Sequence, residues 1–248
     1  VSEFMQELGL SVEYHKWEYG SLSNRNVIGE KTGSETPDEI VLITAHLDSA
    51  PSGGLAPGAD DNASGSVGVM MAAAILSQSQ YEFERTVRFV FFTGEEQGLR
   101  GSKRYASKVV EDGDNLVAVY NMDMIAWDVR NKPILRIYTR AKRDPGYDGD
   151  MVIANTFVDV VNTYALDTVL IPVIAPHGGL WGGHWSDHAS FWDEGFSAVC
   201  AIEDDTSDWN RTNYHTVDDT ISTLNFTYLT NYIRASVGTA AQLANVTD

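Results

Sequence analysis

The run Ile40-Val-Leu-Ile-Thr-Ala45 is β-branched, almost continuously apolar, and stops abruptly at His46-Leu47-Asp48. A strand with one wet face alternates apolar and polar side chains. A strand covered on both faces has no need to, so this run reads as a buried strand of an α/β sheet. Two further runs share its character, Thr86-Val-Arg-Phe-Val-Phe-Phe92 and Leu116-Val-Ala-Val-Tyr120. Each is followed by polar residues of the same kind, Gly94-Glu95-Glu96 and Asn121-Met122-Asp123. Outward from these three, strands are expected at 11–18, 26–30, 134–138, 168–174 and 198–202. A short amphipathic helix over 3–8 closes at Gly9, and longer helices cover 61–79, 99–110, 149–164 and 224–245. The alternation predicts an α/β fold, a three-layer sandwich with a mostly parallel central sheet, and one domain over residues 1–248.

Composition removes several function classes. Of 248 residues, 43% are apolar and 21% charged, ordinary for a chain with a sizeable core. Seventeen Lys and Arg against 35 Asp and Glu leave a net charge of −18, which repels a polyanion, so nucleic-acid binding is not expected. No apolar window is long enough for a membrane-spanning helix. The single cysteine, Cys200, permits no internal disulfide and sits in an apolar run, where a buried inert thiol is expected. The chain opens at Val1 with neither a methionine nor a signal-peptide pattern, so an upstream segment is expected to have been removed or left out.

In open α/β sheets, sites form outside the carboxyl ends of the strands. If the three buried strands are parallel neighbours, one imidazole and several carboxylates converge there. Such crowding of like charge calls for a positive partner. Nitrogen and oxygen donors without thiolates suit zinc, with manganese or cobalt as substitutes. Two further polar segments can join the set, the glycine-flanked loop Gly58-Ala-Asp-Asp-Asn-Ala-Ser-Gly65 and Tyr214-His-Thr-Val-Asp-Asp219.

Taken in order, His46-Leu-Asp48, Ala59-Asp-Asp-Asn-Ala-Ser-Gly65, Gly94-Glu-Glu96, Asn121-Met-Asp123, Ser186-Asp-His188 and Tyr214-His-Thr-x-x-Asp218 resemble the M28 family of dinuclear zinc aminopeptidases. The likeness is greatest to the secreted bacterial leucyl-type enzymes and spans roughly residues 1 to 240. It implies a zinc-exopeptidase-like fold, a secreted or periplasmic location, and removal of N-terminal residues from peptides with a free N-terminus. It also implies two zinc ions bridged by Asp60, with Glu96 and His215 completing one site and His46 and Asp123 the other. Asp48 would hold the second nitrogen of the His46 ring, and Glu95 would be the general base. Asp61, beside the expected bridge, is read as capping the following helix or shaping the loop rather than as a ligand.

Tyr214 is a candidate donor to the developing oxyanion. The segment Ala175-Pro-His-Gly-Gly-Leu-Trp-Gly-Gly-His-Trp185 has the composition of a pocket-lining loop, with Trp181 or Trp185 as a wall for the N-terminal side chain. Here the chain departs from its relatives. Some of them carry two cysteines in this loop, and others an arginine where Trp185 stands. Two rival readings are a single-zinc acyltransferase of the glutaminyl cyclase kind and a catalytically inactive binding domain of the same fold. The paired Asp60-Asp61 loop favours the two-metal hydrolase, and the intact set of donors disfavours the inactive domain.

Overall fold

A computed structural model describes residues 1–50, 54–177 and 183–247. Eight strands form one sheet in the order β1-β2-β4-β3-β5-β8-β6-β7. The strands are β1 (Ser11–Tyr19), β2 (Leu22–Lys31), β3 (Thr36–His46), β4 (Arg85–Phe92), β5 (Asn115–Met122), β6 (Ile134–Arg140), β7 (Ile171–His177) and β8 (Ala198–Glu203). The centre is parallel, with β4, β3, β5 and β8 running together, and β6 and β7 form a second parallel pair. The β1–β2, β2–β4 and β6–β8 pairings are antiparallel. The sheet is therefore mixed at its flanks and parallel where the three apolar runs lie. Pro172 and Pro176 fall on β7, an edge strand, where a missing N–H costs the ladder least.

Why β3 shows no polar alternation is visible in its packing. Val41, Ile43 and Ala45 enter one core, which also takes in the apolar faces of α2 (Gly65–Leu76), α4 (Tyr147–Thr163) and α6 (Phe226–Leu243), together with Met5 of α1 (Ser2–Glu7). Ile40 and Leu42 enter the other, with Tyr105, Ala106 and Val109 of α3 (Arg100–Asp112) and Phe191 and Trp192 of α5 (His188–Asp193). Phe89 and Phe91 on β4 face the first core, and Val90 and Phe92 the second; all four are fully buried. Each such side chain contributes roughly 1.5–3 kcal/mol by leaving water. Two full cores on either side of one sheet make the three-layer sandwich expected from the sequence.

The start of α2 departs from the expected helix boundary. The helix expected from residue 61 begins only at Gly65, after an irregular turn over Ala59–Ser64. Gly58 enters that turn at φ 58°, a left-handed conformation that favours glycine. Asp61 (φ −105°, ψ 92°) and Asn62 (φ −133°, ψ 45°) lie outside helical geometry. The short helix α5 is also absent from the expected elements, because the Gly- and Trp-rich sequence before it carries no helical periodicity.

Candidate metal centre and active site

His46 is the last residue of β3, Glu95 and Glu96 follow β4, and Asp123 follows β5. These three strands are adjacent and parallel, so their carboxyl ends deliver the side chains to one place. The turn Ala59–Ser64 is pinned over the same strand ends by its own polar groups. Asn62 donates through Nδ2 to the Met122 carbonyl at 3.0 Å, and its Oδ1 accepts from the amides of Gly65 and Met124 at 3.0 and 3.2 Å. Ser64 Oγ accepts from the Ile125 amide at 3.0 Å, and Ser66 Oγ donates to the His46 carbonyl at 2.8 Å. The Asp219 carboxylate accepts from the amides of Asp60 and Asp61 at 3.0 and 3.1 Å.

Within this frame Asp61 occupies the centre. Its Oδ1 lies 3.4 Å from His46 Nε2, and its Oδ2 lies 3.1 Å from His215 Nε2. His46 Nε2 is also 3.4 Å from Asp123 Oδ1, and His215 Nε2 is 3.1 Å from Glu96 Oε2. His46, Asp61 and Asp123 form one donor triad, and Asp61, Glu96 and His215 the other. Their shared carboxylate turns a different oxygen to each histidine.

Asp60 is elsewhere, which corrects the expectation that it is the shared carboxylate. It is fully buried, its Oδ1 accepts from the Ala126 amide at 3.1 Å, and its Oδ2 accepts from Asn210 Nδ2 at 2.9 Å. Burial raises its carboxyl to about 7, against the lowering effect of its contacts with Asn210 and Glu203. The reason is conformational. With Asp61 extended rather than helical, successive side chains in the turn point to opposite sides, so one aspartate faces the histidines and the other faces the protein interior. Asp60→Ala is therefore expected to lower stability by roughly 1–3 kcal/mol, because the Ala126 amide and the Asn210 side chain lose their acceptor. The denaturant midpoint measures this, and the metal content of the variant should stay close to that of the parent chain.

Asp48 is a partial correction. It is the Asp48 main-chain carbonyl that lies 2.9 Å from His46 Nδ1, and the carboxylate is 3.9 Å from that atom. A donated Nδ1–H fixes the tautomer that presents a free Nε2 lone pair to the triad. The Asp48 carboxylate instead accepts from the amides of Glu95 at 3.2 Å and Glu96 at 3.2 Å, holding the loop that carries both glutamates. Glu96 Oε1 accepts from the Ala50 amide at 3.0 Å, leaving Oε2 to face His215.

A cavity of about 640 Å³ opens over the triads, lined by His46, Asp61, Glu95, Glu96 and Asp123 together with Met124, Trp185, Trp209 and Tyr214. No lysine or arginine lines it among the described residues. Burial would lower the His46 ring's pKa, but Asp123 and Asp61 more than reverse this and raise it. Burial pushes the Glu95 carboxyl up to about 10, with Asp187, Asp123 and Glu96 adding to the rise and His46 opposing it. Glu96 rises to about 7, through burial and then Asp61. So dense a set of carboxylates facing imidazoles is stable when cations sit among them. The donor separations also fit. Tetrahedral coordination with bonds of about 2.0–2.1 Å places ligand atoms about 3.3 Å apart, close to the spacings here.

His215 has φ 58° and Met124, beside Asp123, has φ 52°. Both are left-handed non-glycine residues, a conformation costing of order 1–3 kcal/mol that persists where surrounding structure enforces it and clusters at functional sites. Tyr214 stacks on the His215 ring with centroids 3.7 Å apart and also lines the cavity. Trp185 lines it too, edge-on to Tyr138 and His188. Trp181 lies outside the described residues. Ser186 and Asp187 are fully buried, with Ser186 Oγ accepting from Asn121 Nδ2 at 2.8 Å, as befits a supporting segment. Cys200 is fully buried, and burial raises its thiol pKa well above the usual value. The sequence singled out neither Asp219 nor Asn62 for this frame. The only local signal was their polarity beside motif residues.

Fold and site together define an α/β protein whose central strands end in two overlapping donor triads of the kind that hold divalent cations. The chain belongs to peptidase family M28, whose pattern matches residues 26–239. It is 31% identical over 227 residues to a probable leucine aminopeptidase of Trichophyton verrucosum, covering 88% of this chain and 57% of that protein. The LapA aminopeptidase of Legionella pneumophila superposes with a TM-score of 0.77 at 25% identity, over 98% of this chain and 62% of that one. A zinc aminopeptidase from Bacillus subtilis shares the fold with a TM-score of 0.74 at 23% identity, over 92% of this chain and 52% of that one. The chain thus spans little more than half the length of the curated relatives it matches.

Proposed function

We propose that this chain is a metal-dependent aminopeptidase that hydrolyses the N-terminal peptide bond of peptides, using two zinc ions. The observation that carries this reading is the Asp61 carboxylate, which turns one oxygen to His46 and the other to His215. A single-ion site needs only one triad, whereas two triads sharing one carboxylate suit a pair of ions. His46, Asp61 and Asp123 would hold one zinc, and Asp61, Glu96 and His215 the other. When bound, the ions lower the pKa of a water to near neutrality and polarise the scissile carbonyl.

The chain's own groups do the rest. Glu95 lines the cavity but belongs to neither triad, so its carboxylate is available to accept the proton of the attacking water and return it to the leaving amine. Its main chain is held by the Asp48 carboxylate, which fixes where that proton transfer takes place. Tyr214, anchored on the His215 ring, is placed to donate its hydroxyl proton toward the carbonyl oxygen as charge develops there. The acidic lining, with no lysine or arginine among the described residues, favours a substrate that enters with a positive α-ammonium group.

Hydrolysis of leucine-p-nitroanilide should be abolished by a chelator and restored by zinc, with elemental analysis reporting two ions per chain. A titration that saturates at one ion, with cyclisation of N-terminal glutamine, would instead support the cyclase chemistry. The fold is shared with a glutaminyl cyclase from Bacteroides thetaiotaomicron, at a TM-score of 0.72 and 16% identity.

A further inference from the structure

Two carboxylates that line the cavity have no part in the hydrolytic set: Glu203, fully buried and accepting from the Trp127 and Asn210 amides, and Asp205. Asp205 lines the same space as the triads but belongs to neither. It follows β8 by two residues and is partly open, its side chain 25% exposed against 4% for its neighbour Asp204.

The two aspartates share one guanidinium unequally. Arg136 Nε donates to Asp204 at 3.0 Å and lies 3.4 Å from Asp205. Asp204 also accepts from the hydroxyls of Thr206 and Ser207, and despite its burial these donors and Arg136 hold its carboxyl at about 2. Asp205 accepts from Tyr138 Oη, at 2.9 and 3.0 Å from its two oxygens. One hydroxyl carries one proton, so lone pairs on the Asp205 carboxylate remain available to a further donor. One positive and two negative charges leave the trio with a surplus negative charge, and Asp205 is the member that meets the cavity. Met124, Ile202, Trp185 and Trp209 supply apolar wall to the same cavity.

Apolar wall together with a carboxylate suits a long stem ending in a cation, since lysine and arginine bury their methylenes along apolar surface while the head keeps a charged partner. We propose that Asp205 is a specificity-determining residue that pairs with a basic side chain on the substrate's N-terminal residue, so that lysyl and arginyl termini are preferred. This rests on the aminopeptidase reading and adds the substrate class to it.

The test compares lysine- and norleucine-p-nitroanilide on the zinc-loaded full chain, because norleucine keeps the lysine stem and removes its charge. The lysine-to-norleucine ratio of kcat/KM should exceed about 10 and fall about tenfold or more in Asp205→Asn, the scale of one charge-assisted hydrogen bond. Calorimetry of free lysine against free norleucine on the unmodified chain, which depends on no variant, should show lysine binding more tightly by a similar factor. A wild-type ratio of one or below, a ratio unmoved in Asp205→Asn, or equal affinity for the two amino acids overturns the proposal. Failure to cleave any anilide while lysine still binds preferentially would instead count against the aminopeptidase reading and support the role of Asp205.

Discussion

Replacing Glu95 with glutamine is expected to cut turnover at least ~100-fold while leaving metal content and KM close to those of the parent chain. The amide has nearly the same shape as the carboxylate, and the main-chain contact from Glu95 to the Asp48 carboxylate survives the change. What the amide cannot do is accept and return a proton. What fits the carboxylate for that role is its place, lining the cavity over both triads while belonging to neither. Steady-state kinetics alongside elemental analysis separate the two effects. A variant that keeps more than a tenth of the parent rate would exclude Glu95 as the base.

The second large effect is expected at Asp61. Asp61→Ala should strip both ions from the chain, leaving less than one per molecule after dialysis against metal-free buffer, with activity lost in proportion. Substituting a residue that merely supports a ligand typically costs 10–100-fold in metal affinity. Asp61 faces both histidines at once, so its loss removes one donor from each triad. Two ions retained in Asp61→Ala would rule out the shared carboxylate. The contrast with Asp60→Ala is the useful control, since that change should weaken the fold and spare the metal.

Adjacent aspartates with opposite fates show where the sequence was legible. The strand ends could be read directly, because apolar runs of strand length announce both the strand and its terminus, and His46, Glu96 and Asp123 sit at those termini. The sandwich could be read for the same reason: its two cores are written into β3 and β4 as nearly continuous apolar side chains. The choice between Asp60 and Asp61 could not. It depends on the extended conformation of the turn over Ala59–Ser64, held by Asn62 on β5 and by Asp219, whose carboxylate reaches amides 158 and 159 residues away. Asp48 was legible only in part. The family resemblance implies that Asp48 meets the His46 ring, but whether carbonyl or carboxylate does so depends on the path of the loop. The mixed sheet is a milder case, since apolar runs carry no record of strand direction. Asp205 drew no notice because an acidic residue between β8 and a polar loop is unremarkable until a cavity wall is seen beside it.

Asp219 has a consequence for how the molecule comes into being. It stands four residues beyond His215, and together the two supply one donor of the second triad and the clamp on the turn that carries the shared carboxylate. A polypeptide emerging from a ribosome has made His46, Asp61, Glu95, Glu96 and Asp123 by residue 123, yet it cannot assemble the centre until translation has passed residue 219. The two donor triads therefore come together late, and nascent fragments released before residue 215 would lack the second of them.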